Sequence, residues 1–526
     1  MTRTVIARAR LQRAVASARR TERSRWWTTF LLAAALCSLW ALATPLFGAP
    51  DEPAHAIRAA SVARLQIVGE EVPSEIEDRL VVDAPKAYGD ASHSIRCYAF
   101  HADVSAACAS FRDDPELVRL PTSAGRHPPG YYAVAGLPSL LERGALGVYL
   151  MRTVTVLITA AFVASACATL ERLRRPRLGA LAILIGVTPM LLFLGGTVNP
   201  SAVEISAALS LWMAGTALVV EAPSRVDTRL VRRAGIAALA LVLSRQLSPP
   251  WLALVAIALL ATGGWPAARA LWASRTARRW GASVVLAGVL QSTWIVVMGS
   301  LDPSYADSEG RRGLATHDAL QLSFGKTLER LREMVGLFGW RDAPAPDLTY
   351  ALWVVALAIL AGLAVVGWRR RFLLVAAAVA IVTVAAPVLF ETLEAQDVGL
   401  FWQGRYSMPL ALGVPVLLAL SVATAPPDRR LDIPTGRLVG AVAIAVVVAQ
   451  VAAFGQALRR NTVGYHGTLG FLVDPLWDPP VPGWLLAVLY AAVVSAFAWW
   501  VVGMPAGDAE PAGQSVPTPS GSLRYS

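Results

Sequence analysis

Apolar runs close to the length of a bilayer-crossing helix, about 20 residues, recur from Trp26 to Val502, separated by short polar, Arg-bearing stretches. They predict twelve transmembrane helices at about 27–46, 147–169, 178–196, 202–220, 234–247, 250–263, 281–300, 351–367, 372–390, 407–424, 438–455 and 483–502. The fold class is therefore an all-α polytopic membrane protein. Alternating β-barrel strands leave a far weaker signal. The fifth and sixth runs are short and are joined by Ser244-Arg245-Gln246-Leu247-Ser248-Pro249-Pro250, which reads as a hairpin. Two interruptions are long. Residues 47–146 and 301–350 form sizeable loops, and loops of this size need a function. In the first, Tyr131-Tyr132 and the apolar stretch to Leu141 suit a short helix at the bilayer surface. In the second, which starts Asp302-Pro303-Ser304-Tyr305, the segment 318–337 is periodic. With Leu320, Leu322, Phe324, Leu328, Leu331 and Val335 it reads as an amphipathic helix, which would lie on the membrane or pack against the other loop.

Arginine sets the orientation. The first 25 residues hold eight Arg, the loops 170–177, 221–233 and 264–280 four each, and 368–371 and 425–437 three each. The short opposite loops 197–201 and 391–406 hold none and one. Only an even number of spans puts all the Arg-rich segments on one side, which by the positive-inside rule is the cytoplasm. Both termini are then cytoplasmic and both long loops external. The N-terminal basic segment, 1–25, leads into an uncleaved anchor, because Ala43-Thr44-Pro45-Leu46-Phe47 offers no clean small-residue cleavage site. The membrane domain covers 26–502, and the Gly-, Pro- and Ser-rich tail 503–526 reads as disordered.

Composition agrees: 55% hydrophobic, 16% charged and a mean hydropathy of +0.52. The net charge of +11 is explained by cytoplasmic arginines and does not point to nucleic acid.

The candidate chemistry clusters in the external segments. Gly48-Ala49-Pro50-Asp51-Glu52-Pro53-Ala54-His55-Ala56-Ile57-Arg58 follows the first span. It gathers two carboxylates, a His and an Arg at the membrane surface, and it equally suits an acidic cap on a Pro-started helix. Arg126-His127-Pro128-Pro129-Gly130 ends the same loop. Thr197-Val198-Asn199-Pro200 turns the chain after the third span, and Gln403-Gly404-Arg405-Tyr406 precedes the tenth. Arg405 and Arg245 lie where a lipid headgroup sits; an Arg fork matches phosphate, and an ordinary snorkelling Arg fits there too. Cys97 and Cys108 share the external loop and are spaced for a disulfide, whereas Cys37 and Cys167 fall in spans and read as packing residues. The chain has no phosphate-binding loop, dinucleotide fingerprint, paired-Cys metal motif or nucleophile elbow. Asp51, Glu52 and His55 are the one metal-like group, too few to close a site.

These features resemble the GT-C superfamily of membrane glycosyltransferases and, more narrowly, the bacterial membrane protein family known as domain of unknown function 2142. The resemblance runs from about Trp26 to Val502 and rests on Pro50 to His55, His127 to Tyr132, Thr197 to Pro200 and Gln403 to Tyr406. It departs at Gly130, where relatives carry Leu after the two prolines. The resemblance implies a catalytic carboxylate at Asp51 or Glu52 and a donor-phosphate site drawing on His127, which Arg405 and Arg245 would complete. His55, Arg58, Asn199, Gln403 and Tyr406 would support them. It also implies the partners: a lipid-linked sugar donor, an envelope glycan or lipid acceptor, and membrane lipids. Nucleotide sugars are absent outside the inner membrane, so the donor is most simply a polyprenyl-phosphate sugar. The carboxylate would be a general base in one inverting displacement that requires no cofactor. Two other classes share the topology: a twelve-span transporter or flippase, for which Glu204 is the main intramembrane acid, and a non-catalytic envelope assembly protein.

Overall fold

The computed structural model describes residues 22–71, 80–301, 313–367, 369–425 and 435–504. Most of the basic N-terminal segment, the start of the second long loop at Asp302 to Tyr305, and the tail from 505 lie outside the described residues.

The chain is an all-α polytopic membrane protein. Helix α1 (Glu22–Ala43) is followed by a cap made of α2 (Glu52–Ala63), strands β1 (Glu70–Glu71) and β2 (Leu80–Pro85), α3 (Lys86–Ser94), β3 (Leu117–Thr122) and the short α4 (Gly130–Ala135). The bundle continues with α5 (Ala145–Ala168), α6 (Pro176–Gly186), α7 (Pro189–Gly195), α8 (Pro200–Glu221), α9 (Thr228–Val242), α10 (Ser248–Ala273) and α11 (Arg275–Val297). A second insertion carries α12 (Thr316–Gly325), α13 (Thr327–Val335) and the hairpin β4 (Leu337–Phe338) and β5 (Ala343–Pro344). The last helices are α14 (Asp347–Gly367), α15 (Arg370–Glu394), α16 (Gly404–Ala411), α17 (Gly413–Ala423), α18 (Thr435–Val463) and α19 (Gly483–Val502).

Among the described residues ten helical segments are long and apolar enough to cross a bilayer, α16 and α17 counting as one, and α6 with α7 makes an eleventh. Every predicted run is helical, with two departures. The third is not straight: α6 and α7 meet at 64°. Thr188 precedes Pro189, which disfavours helix at Thr188, and its hydroxyl instead caps α7 by accepting from Leu191 N at 3.2 Å. The carbonyls near the break are claimed by other helices. Gln450 Nε2 donates to Val187 O at 2.7 Å and Trp353 Nε1 to Ile185 O at 3.2 Å. Irregular backbone at membrane depth persists only when so satisfied. The fifth run is α9, only 15 residues and about 22 Å at helical rise, short of the hydrocarbon thickness. Its partner α10 is longer than the sequence implied, 26 residues with a bend at Gly264, whose φ of 70° suits glycine, two residues before Pro266.

Helix α8 is buried along nearly its whole length and is the axis of the bundle; α11 lies at the rim with most of its surface exposed. The two ends of the bundle differ. At one, arginines tie helix ends together: Arg25 binds Glu171 at 2.7 Å, and Arg229 and Arg233 bind Glu22 at 2.6 and 2.5 Å. The other end carries both insertions. We call it the capped end.

The larger insertion is not the plain loop with a surface helix that the sequence suggested. It has a core of its own under an antiparallel sheet, β1-β2-β3, with Val81 opposite Glu70 and Leu80 opposite Thr122. Helix α2 runs beneath, buried on nearly all faces because Ala56, Ala59 and Ala60 present little bulk. Gly136 is required where the chain crosses α2, since a Cβ there would meet Ala59 O at 1.9 Å. Cys97 and Cys108 are joined by a disulfide, their Cα atoms 6.2 Å apart. Replacing both with Ser should destabilise the insertion by about 2 to 4 kcal/mol. Limited proteolysis under non-reducing conditions checks this: cleavage within 86–116 should quicken, and an unchanged digest would count against a structural role for the bridge.

The second insertion differs from one continuous amphipathic helix. It breaks between Gly325 and Thr327, and its two pieces pack on α15 and α16, while Leu320, Phe324, Leu328 and Leu331 stay exposed. Arg330 is the clasp: it pairs with Glu391 and donates to Ser323 O at 2.8 Å.

Candidate functional site at the capped end

The start of α2 places two consecutive carboxylates on opposite duties. Asp51 takes the left-handed conformation, φ 63° and ψ −4°, uncommon for a residue with a Cβ. Its side chain makes no helix cap. It accepts a hydrogen bond from Arg405 and keeps 31% side-chain exposure, while Arg405 keeps 3%. Glu52, about 100° round the helix, turns into the bundle. Arg152 of α5 donates to it twice, through Nε and Nη2, each at 2.7 Å, and Val198 N donates at 3.0 Å. The other Arg152 N–H groups reach Ala41 O and Thr44 O at 2.8 Å and Pro45 O at 2.7 Å. Glu52 is therefore saturated and buried. The expectation that it shares a cavity with Asp51 is corrected: its partner lies deeper, on a span. The metal-like grouping dissolves for the same reason, and among the described residues no three His, Cys, Asp or Glu side chains gather around a common point.

Two elements bring cations to Asp51. From α16 comes Arg405, with Tyr406 beside it. The Arg245 guanidinium, from the turn between α9 and α10, lies 4.8 Å from the centroid of the Tyr406 ring and that of Arg405 lies 5.4 Å away, so two cations share one ring. Arg245 donates to Ser201 Oγ, and its backbone N–H to Ser248 Oγ at 3.1 Å. Ser248 in turn donates to Glu204 Oε1 at 2.7 Å. Gln291 Nε2 donates to Arg245 O at 3.2 Å. The α9–α10 hairpin, the least regular pair in sequence, is thus held at three points and delivers a cation.

The histidines occupy the next layer. Tyr132 Oη lies 2.9 Å from His55 Nδ1 and 3.0 Å from His127 Nδ1. His127 Nε2 faces the Gln246 amide nitrogen at 3.3 Å. Both nitrogens of His127 are engaged, which corrects its expected place against the lipid phosphate. Burial, followed by the nearby cations, pushes His55 down to about 3 and His127 well below the ordinary histidine range, so both rings are neutral at neutral pH. Asp51 is pushed up by burial but pulled further down by Arg405, and stays below the ordinary carboxylate range.

The remaining predicted residues are close by, in less direct roles. Arg58 is buried and donates to His127 O at 3.0 Å; burial pushes it down to about 10. Asn199 caps α8, accepting from Ser201 N at 2.9 Å. Gln403 lines a small crevice with Pro50, Arg341 and Arg405. Sequence reasoning missed Arg152, Tyr132 as a bridge, Gln246, Ser201 and Ser248. Arg152 carried a signal, an ionisable residue within a span. The polar turn residues carried none.

The site is short of acceptors. Arg58 Nε and Nη1, Arg405 Nε and Asn199 Nδ2 are buried without partners among the described residues. Two guanidiniums converge on one accessible carboxylate. Such a surplus of donors suits an anion with several oxygens.

A bundle of apolar helices, capped at one end by two insertions that enclose an acid–arginine site, defines a multi-pass membrane protein. The chain belongs to the family described as predicted membrane protein (DUF2142), whose model matches residues 30–414. No curated protein matches it. One solved structure that it is similar to is the cryo-EM structure of arabinofuranosyltransferase AftD from Mycobacteria. Identity is 17%, and 82% of this chain but only 27% of that one is covered, with a TM-score of 0.34.

Proposed function

We propose that this chain is a glycosyltransferase of the GT-C type, moving a sugar from a polyprenyl-phosphate donor to a cell-envelope acceptor on the outer side of the inner membrane. The observation that carries the reading is the pairing of Asp51 with Arg405, with Arg245 against the same Tyr406 ring and buried donors left unpaired nearby. Arg405 and Arg245 hold the donor phosphate. Asp51 takes the proton from the acceptor hydroxyl, whose oxygen attacks the anomeric carbon. The bond from that carbon to the phosphate oxygen breaks, and the electrons leave with the lipid phosphate, stabilised by the guanidiniums. One displacement inverts the centre. The reaction itself draws on no metal or organic cofactor in this scheme.

The test is transfer from a labelled polyprenyl-phosphate sugar by the purified chain in lipid nanodiscs, with an envelope extract as acceptor. Arg405→Gln and Arg245→Gln should each lower turnover by about ten-fold or more, the worth of one lost charge-assisted hydrogen bond to the leaving group. A flippase or assembly protein would move or bind the donor and leave its glycosidic bond intact.

The pH profile has a definite sign. Asp51 acts as the ionised form and sits below the ordinary carboxylate range, so activity should hold as pH falls through that range and decline only at more acid pH. In Arg405→Gln the main lowering influence is gone and burial remains, so the acid limb of the residual activity should move upward. An acid limb that does not move would separate Asp51 from the titrating base.

Orientation is tested apart from activity. Reporter fusions at 172–176 and 270–278 should read as cytoplasmic and those at 90–110 and 313–345 as external. A cytoplasmic signal from 90–110 would overturn the assignment of the capped end to the outer side.

A further inference from the structure

We propose that Tyr132 and Gln246 are positioning residues that set the tautomers of His55 and His127 in opposite senses, so that His55 presents an Nε2–H donor to the substrate anion. The role given to His55 rests on the proposed function; the tautomers do not.

The argument counts protons. Tyr132 Oη has one hydrogen and lies within hydrogen-bond distance of two Nδ1 atoms, His55 at 2.9 Å and His127 at 3.0 Å. It can donate to only one, and must accept from the other. If both rings are neutral, one carries its proton on Nδ1 and the other does not. Neutrality fits a buried site flanked by Arg58, Arg245 and Arg405, with Asp51 as the facing acid. Gln246 decides which ring is which. Its amide nitrogen donates to His127 Nε2 at 3.3 Å, so that atom is the acceptor and the His127 proton sits on Nδ1. His127 Nδ1–H then donates to Tyr132, Tyr132 donates to His55 Nδ1, and the proton of His55 must lie on Nε2. That nitrogen has no hydrogen-bond partner among the described residues.

The chain runs in one direction: Gln246, His127, Tyr132, His55. It separates the roles of neighbouring groups. His55 cannot compete with Asp51 for the acceptor proton, because its one basic nitrogen is held by Tyr132. It can add a hydrogen bond to an anion held by Arg405 and Arg245. His127 acts only through the others, as its two engaged nitrogens require.

The test is 15N NMR of the histidine rings in the full chain, labelled at its six histidines and held in lipid nanodiscs. Signals are assigned by their loss in His55→Gln and His127→Gln. We expect His127 protonated on Nδ1 and His55 on Nε2 at neutral pH. Gln246→Glu places an acceptor against His127 and should invert both rings together. Tyr132→Phe removes the bridge: His127, still held by Gln246, should keep its proton on Nδ1, and His55 should become a mixture of tautomers. Two rings in the same tautomer in the unaltered chain, or the opposite pair, would overturn the proposal, as would tautomers unmoved by Gln246→Glu. The unaltered chain decides the main point even if a variant does not fold. In the transfer assay Gln246→Glu should lose at least ten-fold in turnover although residue 246 touches no substrate. Correct tautomers without transfer from any donor would sink the glycosyltransferase reading alone; transfer with wrong tautomers would sink this one alone.

Discussion

Asp51→Asn should abolish sugar transfer while the protein continues to fold. The expected loss is about a hundred-fold or more, the usual worth of a general base. Asn keeps the size of the side chain, and it tolerates the left-handed backbone at φ 63° better than most residues, so the local fold has no reason to change. The carboxylate does not cap α2, so no helix end is lost. What disappears is the charge that faces Arg405, carried by a partly exposed acid at the head of the site. Arg405 loses its counter-charge, but Asp51 is 31% exposed and water screens that loss, so the variant should be extracted with a melting point lowered far less than in Glu52→Gln, and should fail to restore the envelope glycans of a deletion strain. Wild-type transfer by Asp51→Asn would reduce the Asp51–Arg405 pair to a structural tie.

Glu52→Gln should do the reverse, and here the effect is on stability. Glu52 and Arg152 are 0% and 1% exposed in their side chains and answer one another with two hydrogen bonds of 2.7 Å. Removing one partner leaves a buried guanidinium without its counter-charge, which costs about 3 to 5 kcal/mol. Because the same carboxylate holds Val198 N, the tie between the first insertion and the turn before α8 loosens as well. Glu52→Gln should aggregate on extraction or melt well below the parent. Replacing both residues with apolar ones of similar size, Glu52→Leu with Arg152→Met, should recover much of the loss, since the pair is then absent rather than broken. Arg152→Met alone should resemble Glu52→Gln. A Glu52→Gln protein as stable as its parent, yet inactive, would move the catalytic role back to Glu52.

The different fates of these two neighbours show where sequence reading stops. Asp51-Glu52-Pro53 announces a helix start with acids near it, and that much is local chemistry. Which acid faces the site depends on a partner 100 residues further on for Glu52 and 354 residues on for Asp51. Neither spacing leaves a periodic trace. The break of the third span was nearly legible: Thr188-Pro189 disfavours helix at the preceding residue, but the largely apolar run 178–196 looks continuous until Gln450 and Trp353 are seen to hold the carbonyls near the break. The second insertion misled in the opposite way. Its 3.6-residue period was real, but Gly325 and Lys326 break it.

What the sequence by itself determined is the membrane class, the positions of the apolar helices, the two-sided alternation of their connections and the segments where chemistry collects. These follow from hydropathy, helix length and arginine bias, which act on each stretch of chain separately. The tertiary structure alone decided that Asp51 meets Arg405, that Glu52 is spent on Arg152, that His127 faces Gln246 and Tyr132 rather than an open cavity, and that the α9–α10 hairpin supplies Arg245 to the site. The physical reason is that a buried charge is tolerable only beside a partner, and the identity of that partner depends on which helix ends the packed bundle brings together.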